Sequence, residues 1–190
     1  MRKIICALSL ASALLFTLAV NAAAPANFAG TWTLDKSKSQ GLSQRIQGAD
    51  SVSWVITQNE KEITVEEKIS GGQMGGPGGP PGGGPPPGAG GPGGGGRGGF
   101  GGGGPRTYNL DGSETTGEMG RGKFARKATW SGDGKTLELV SKMTFEGPNG
   151  EVTSTSTDKL QLSTDGKTLT VARHSESPRG TQDSTMVFTK

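Results

Sequence analysis

Outside residues 1–22 and 71–105 the chain alternates apolar and polar positions with a period of two, and no helical period competes with it. That is the signature of half-buried strands, and the abundance of Thr and β-branched residues agrees with it. Nine or ten strands are expected, over 28–34, 51–58, 62–69, 106–110, 113–117, 123–131, 136–146, 151–162, 167–175 and 181–189. Turn signals fall between them at Asp111-Gly112, Asp133-Gly134, Asn149-Gly150 and Asp165-Gly166. Ser-x-Asp-Gly-Lys-Thr-Leu occurs twice, at 131–137 and 163–169. Two copies are too few for a solenoid and read as recurrent hairpin chemistry. Short connections imply an antiparallel up-and-down meander, and closing it into a barrel removes its exposed edges. The expected fold class is all-β, a closed meander barrel of about 8–10 strands.

If each central turn pair is a two-residue loop, the registers follow. Across Asp133-Gly134, Trp130 faces Leu137, Ala128 faces Leu139 and Arg126 faces Ser141. Across Asn149-Gly150, Leu137 faces Leu162, Leu139 faces Leu160 and Ser141 faces Asp158. Across Asp165-Gly166, Leu162 faces Leu169, Leu160 faces Val171 and Asp158 faces Arg173. A last turn at Pro178-Arg179 puts Phe188, Met186 and Ser184 opposite Leu169, Val171 and Arg173. The four turns agree on one inward face: two apolar rows, then a polar belt of Arg126, Ser141, Asp158, Arg173 and Ser184. A turn at Glu60-Lys61 sets Trp54 opposite Glu67.

Two segments distort the composition. Arg2-Lys3 followed by the apolar run Ile4–Leu18 and Val20-Asn21-Ala22 reads as a secretion signal over residues 1–22. Residues 71–105 hold 22 Gly and 8 Pro without a triplet period, which excludes collagen and predicts a disordered insertion. It lies between two strand-like runs, so it interrupts one domain, 23–190, rather than joining two. Closing a loop of 35 residues instead of four costs only about 2 kcal/mol. Removing both segments from the 190 residues leaves 133, enough for one modest domain. The formal charge of +3 falls to +1 once Arg2 and Lys3 are removed, so no electrostatic case remains for nucleic acid. Cys6, the only cysteine, leaves with the signal, and His174 is the only histidine. Disulfides, thiol chemistry and multi-His metal sites are therefore excluded. No membrane-spanning segment follows the signal, and export to the periplasm or the extracellular space is expected.

Motifs of catalysis do not appear. Gly117-x-x-x-x-Gly122-Lys123-Phe124 approaches a phosphate-binding loop, but Phe124 replaces the required Ser or Thr and begins a strand. Arg97-Gly98-Gly99-Phe100 is a single unit of an RGG-type segment, whereas RNA binding by such segments depends on many arginines. No nucleophile elbow or placed carboxylate pair exists, and His174 alternates away from the inward face. No enzyme activity and no cofactor are expected.

Phe28-Ala29-Gly30-Thr31-Trp32-Thr33-Leu34 resembles the Gly-x-Trp opening strand of lipocalins and fatty-acid-binding proteins, the calycins. Met186-Val187-Phe188-Thr189-Lys190 is similar to the last strand of the fatty-acid-binding group. The resemblance implies a lipocalin-like barrel, a structural role for Gly30 and for Trp32 as an end plug, and a small hydrophobic ligand. It implies a basic residue packed across the Trp, for which Lys190 is the candidate. Two features depart from the family. Met186 and Phe188 stand where an Arg-x-Tyr pair would hold a carboxylate, and residues 35–50 support one short helix rather than a two-helix lid.

Arg126, Arg173 and Asp158, with Ser141, form the candidate head-group site, and Trp54, Met143, Met186 and Phe188 the apolar contacts. Two cations against one anion would attract a carboxylate, sulfate or phosphate. A hydrated structural cluster is the other reading of the same belt. The function expected is an exported, non-enzymatic carrier of a small hydrophobic or amphipathic anion. The alternative is a filled barrel that displays its Gly/Pro-rich loop to a partner.

Overall fold

The computed structural model describes residues 24–71, 104–120, 122–147 and 150–190. The expected signal, residues 72–103 of the Gly/Pro-rich segment, and Pro148-Asn149 lie outside the described residues. Among the described residues ten strands form a single sheet: β1 (Gly30–Leu34), β2 (Ser51–Gln58), β3 (Glu62–Ser70), β4 (Arg106–Asn109), β5 (Thr115–Met119), β6 (Gly122–Trp130), β7 (Thr136–Gly147), β8 (Gly150–Leu162), β9 (Thr168–Ser177) and β10 (Gly180–Thr189). A short helix, α1 (Gln44–Gly48), follows β1 and buries Ile46. No helix among the described residues is long and apolar enough to cross a membrane.

Every pairing is antiparallel and joins sequence neighbours, except that β1 also pairs with β10. That contact rolls the meander into a nearly closed barrel. One seam remains, because β4 and β5 are the sheet's two edges and do not pair with each other. β5 starts two residues later than expected. Ser113 is held in the preceding turn, its amide and hydroxyl both donating to Asp111 Oδ1 at 2.8 and 2.6 Å.

The two Ser-x-Asp-Gly-Lys-Thr turns are copies of one another. In each, the Ser hydroxyl donates to the Asp carboxylate, at 2.6 Å for Ser131 and 2.5 Å for Ser163. The same Asp accepts the Lys amide, and the Thr amide donates to the Ser hydroxyl. Gly134 and Gly166 take left-handed φ values of 68° and 67°, open to glycine without strain. Ser131 pairs with Thr136 and Ser163 with Thr168, so these loops are wider than two residues. They remain centred on Asp-Gly, which preserves the expected registers Arg126↔Ser141 and Asp158↔Arg173. The Trp54↔Glu67 and Met186↔Val171 pairs are also as expected.

The β7–β8 register differs from expectation by two residues. Gly147 pairs with Gly150, so Leu137 meets Leu160, Leu139 meets Asp158 and Ser141 meets Ser156. An Asn149-Gly150 loop would have put Pro148 into the ladder opposite Glu151. Proline has no N–H to donate there, so the ladder avoids that register. A two-residue slide keeps every side chain on its own face, and the hydrophobic pattern therefore does not resist it.

The slide rebuilds the inward rows. One is Trp130/Leu137/Leu160/Val171/Met186, the next Ala128/Leu139/Asp158/Arg173/Ser184, and the third begins Arg126/Ser141/Ser156/Ser175. Phe28, Trp32, Trp54, Tyr108 and Phe188 fill the closed end and are fully buried. Each such side chain contributes roughly 1.5–3 kcal/mol of burial. Towards the other end, inward residues such as Phe124, Ser141, Met143, Phe145 and Val152 are only half-buried, so the barrel opens there.

Candidate ligand-binding site

The polar belt divides into two parts. Asp158 and Arg173 form a two-point ion pair, with Arg173 Nε and Nη2 donating to the two carboxylate oxygens at 2.6 and 2.9 Å. Glu67 lies 4.0 Å from Arg173 Nη1 and accepts the indole N–H of Trp54 at 3.1 Å. The Arg173 guanidinium also lies 5.5 Å from the centre of the Trp54 ring. Burial works against the Arg173 charge, but the charge and hydrogen bonds of Asp158, with Glu67 adding, hold its pKa above the ordinary arginine value. Arg173 is therefore satisfied from within the protein.

Arg126 is not. The slide of β8 places it one row nearer the open end than Asp158, opposite Ser141 on β7 and Thr115 on β5. Its residue exposure is 6%, and its Nε has no hydrogen-bond partner. Among the described residues no carboxylate pairs with it; its guanidinium rests over the Phe124 ring, 4.2 Å from the centroid. Burial lowers its pKa, the Tyr108 phenol opposes that, and the Arg106 charge adds to it. Thr115 Oγ1 and Ser154 Oγ are likewise buried without partners among the described residues. Ser154 faces Met143 one row further out, so all three unsatisfied groups lie on the inward side of the open half.

Arg106 enters from β4, opposite Val65, and lies 5.9 Å from the centre of Trp54. Among the described residues the interior thus carries Arg106, Arg126 and Arg173 against Asp158 and Glu67, a surplus of one positive charge. Tyr108 is buried beside them, and that burial pushes its phenol above the usual value.

The candidate residues fall at different depths. Arg126, Ser141 and Met143 meet in the open half, with the last two half-buried. Arg173 and Asp158 lie one row deeper and are joined to each other rather than to Arg126. Trp54, Met186 and Phe188 belong to the covered core, where the Trp54 and Phe188 rings are 5.0 Å apart. Arg106, Phe124, Thr115 and Ser154 are additions from the tertiary structure. The parity of β3 and β4 would have turned Arg106 inward, but no recognisable turn links those two strands across the Gly/Pro-rich segment. At the closed end Lys190 Nζ stands 4.4 Å over the Trp32 ring, the basic residue that the family resemblance implies. His174 is exposed on the outer face, bonded to Asp183 and Glu176.

No protein-family model matches the chain, and no characterised protein matches it in sequence. Among solved structures, the zebrafish ileal bile acid-binding protein complexed with cholic acid is similar at 14% identity with a TM-score of 0.43. That match covers 86% of this chain and 98% of the other. By its own strand order, a ten-stranded antiparallel meander closed by β1 against β10 and open at one seam, the chain has a lipocalin- and fatty-acid-binding-protein-like barrel fold.

Proposed function

We propose that the protein binds a small amphipathic anion in the open half of its barrel, without chemistry, and does so outside the cytoplasm. The observation that carries this reading is Arg126: a guanidinium buried on an inward face with no carboxylate paired to it among the described residues. Burying such a charge is costly unless something pairs with it, and an oxyanion is the natural partner. The interior surplus of one positive charge agrees with a monoanionic head group. Phe124, Met143 and Val152, inward and half-buried, offer an apolar lining for its tail. The amino-terminal leader supports export.

The test is native mass spectrometry of the purified mature protein, followed by calorimetric titration with decanoate. A one-to-one complex weakened about tenfold or more by Arg126→Met, but little by changes at exposed His174, supports the reading. An empty protein that ignores decanoate, decanesulfonate and aromatic carboxylates overturns it. In that case the filled-barrel interaction module takes its place.

A further inference from the structure

Gly117 on β5 is directly opposite Phe124 on β6, and Phe124 lies two residues before Arg126 on the same inward face. A Cβ at Gly117 would lie 2.6 Å from Phe124 Cζ and 2.8 Å from its Cε1. Gly117 is not among the glycines with positive φ, so the backbone there does not require glycine. What the position requires is space, and the Phe124 ring occupies it. The ring also meets Arg126, whose guanidinium carbon stands 4.2 Å from the ring centroid. The same device recurs one row outward, where Gly122 is paired with Phe145 and a Cβ at Gly122 would lie 2.6 Å from that ring.

We infer that Gly117, Phe124 and Arg126 form a stack in which Phe124 is a positioning residue for the anion-binding guanidinium and Gly117 sets the place of the ring. The inference rests on the proposed role of Arg126, but the stack itself is testable without any ligand. A guanidinium lying on an aromatic ring engages the ring with its face and keeps its N–H groups in the plane, directed sideways. That is the arrangement a two-point oxyanion contact needs. Phe124 thus steadies a charge that no carboxylate steadies among the described residues, and leaves Nε without a hydrogen-bond partner there. A carboxylate in the same place would have held Arg126 and neutralised it, as Asp158 does to Arg173.

The first measurement is the Arg126 Nε–H resonance in the ligand-free protein. An upfield ring-current shift is expected, lost in Phe124→Leu, kept in Phe124→Tyr and displaced in Gly117→Ala. Absence of that shift in the wild type overturns the stack whatever the protein binds. The second measurement is decanoate affinity in the same variants, with circular dichroism confirming that each is folded. Phe124→Leu and Gly117→Ala are each expected to weaken binding about five- to tenfold, and Phe124→Tyr less than about twofold. The double variant Gly117→Ala/Phe124→Leu should be no weaker than Phe124→Leu alone, since a ring that is absent is not displaced. Additive losses overturn the positioning role. A normal ring-current shift with no anion bound at all overturns the proposed function and leaves the stack standing.

Discussion

Lys190 lies directly across the ring of Trp32, its ammonium 4.4 Å from the ring centroid and donating to the Ala29 carbonyl at 3.2 Å. Gly30 lies beneath the lysine stem. A Cβ there would come 2.8 Å from Lys190 Cε, and the Gly30 φ is +139°. Gly30→Ala should therefore destabilise the fold by roughly 1–3 kcal/mol in urea titrations, from backbone strain with crowding added. The two causes separate in a Lys190→Ala background. There the crowding is gone and the strain remains, so most of the loss should persist. Complete recovery would show that the contact alone demands glycine.

Arg126 and Arg173 should respond oppositely to neutral replacement. Arg126→Met removes a buried cation that lacks a carboxylate partner among the described residues and should raise stability by about 1–2 kcal/mol while weakening anion binding about tenfold or more. Arg173→Met leaves Asp158 buried and unpaired and should lower stability by about 3–5 kcal/mol. Chemical denaturation of the two variants side by side decides this. Equal losses would mean that Arg126 is structurally paired.

Acid should weaken the turns in a defined window. Asp35 is held down at about 2 by the Ser37 hydroxyl and Lys38, against an ordinary value of 3.8. Asp111, Asp133 and Asp165 are lowered chiefly by the hydroxyls of Ser113, Ser131 and Ser163. A carboxylate with a depressed folded-state pKa contributes stability above its unfolded value and loses it as pH falls through the folded one. The Asp35 contribution should be present above its ordinary value and fade towards about pH 2, and those of Asp111, Asp133 and Asp165 should likewise be lost as pH falls below the ordinary carboxylate range. In thermal melts, Asp133→Asn and Asp165→Asn should lower Tm to similar extents at neutral pH. They should also flatten the acid slope, because their turns are copies.

His174 should act on the other side of neutrality. Hydrogen bonds that its ring donates to the carboxylates of Asp183 first and Glu176 second raise its pKa above 6.5. A raised folded-state value contributes stability below the unfolded pKa and loses it as pH rises through the folded one. Tm should therefore fall slightly on going from mildly acidic to alkaline buffer, and His174→Gln should remove that component. Anion binding should be unaffected, since His174 points away from the interior.

Strand positions, hairpin centres and the inward face were legible because each rests on local rules. Side-chain alternation marks the face, Asp-Gly and Ser-x-Asp-Gly-Lys-Thr mark the turns, and a symmetric loop of either width preserves the pairing. Arg126, Ser141, Asp158 and Arg173 were for that reason correctly placed inside. Their grouping was not legible. The β7–β8 hairpin slides by two residues, a displacement that alternation does not detect, and it separates Arg126 from the Asp158–Arg173 pair. The absent N–H of Pro148 was the one local signal against the expected register.

What the sequence determined by itself is therefore the barrel: a period of two, turn chemistry and the Gly30–Trp32 opening are properties of short segments. What only the tertiary structure decided is which charge is left over. Arg173 finds Asp158 on one neighbouring strand and Glu67 across the barrel, while Arg126 finds, among the described residues, an aromatic face and no carboxylate. Neutralisation of a buried charge depends on distances between strands far apart in the chain, and closure of the barrel sets those distances.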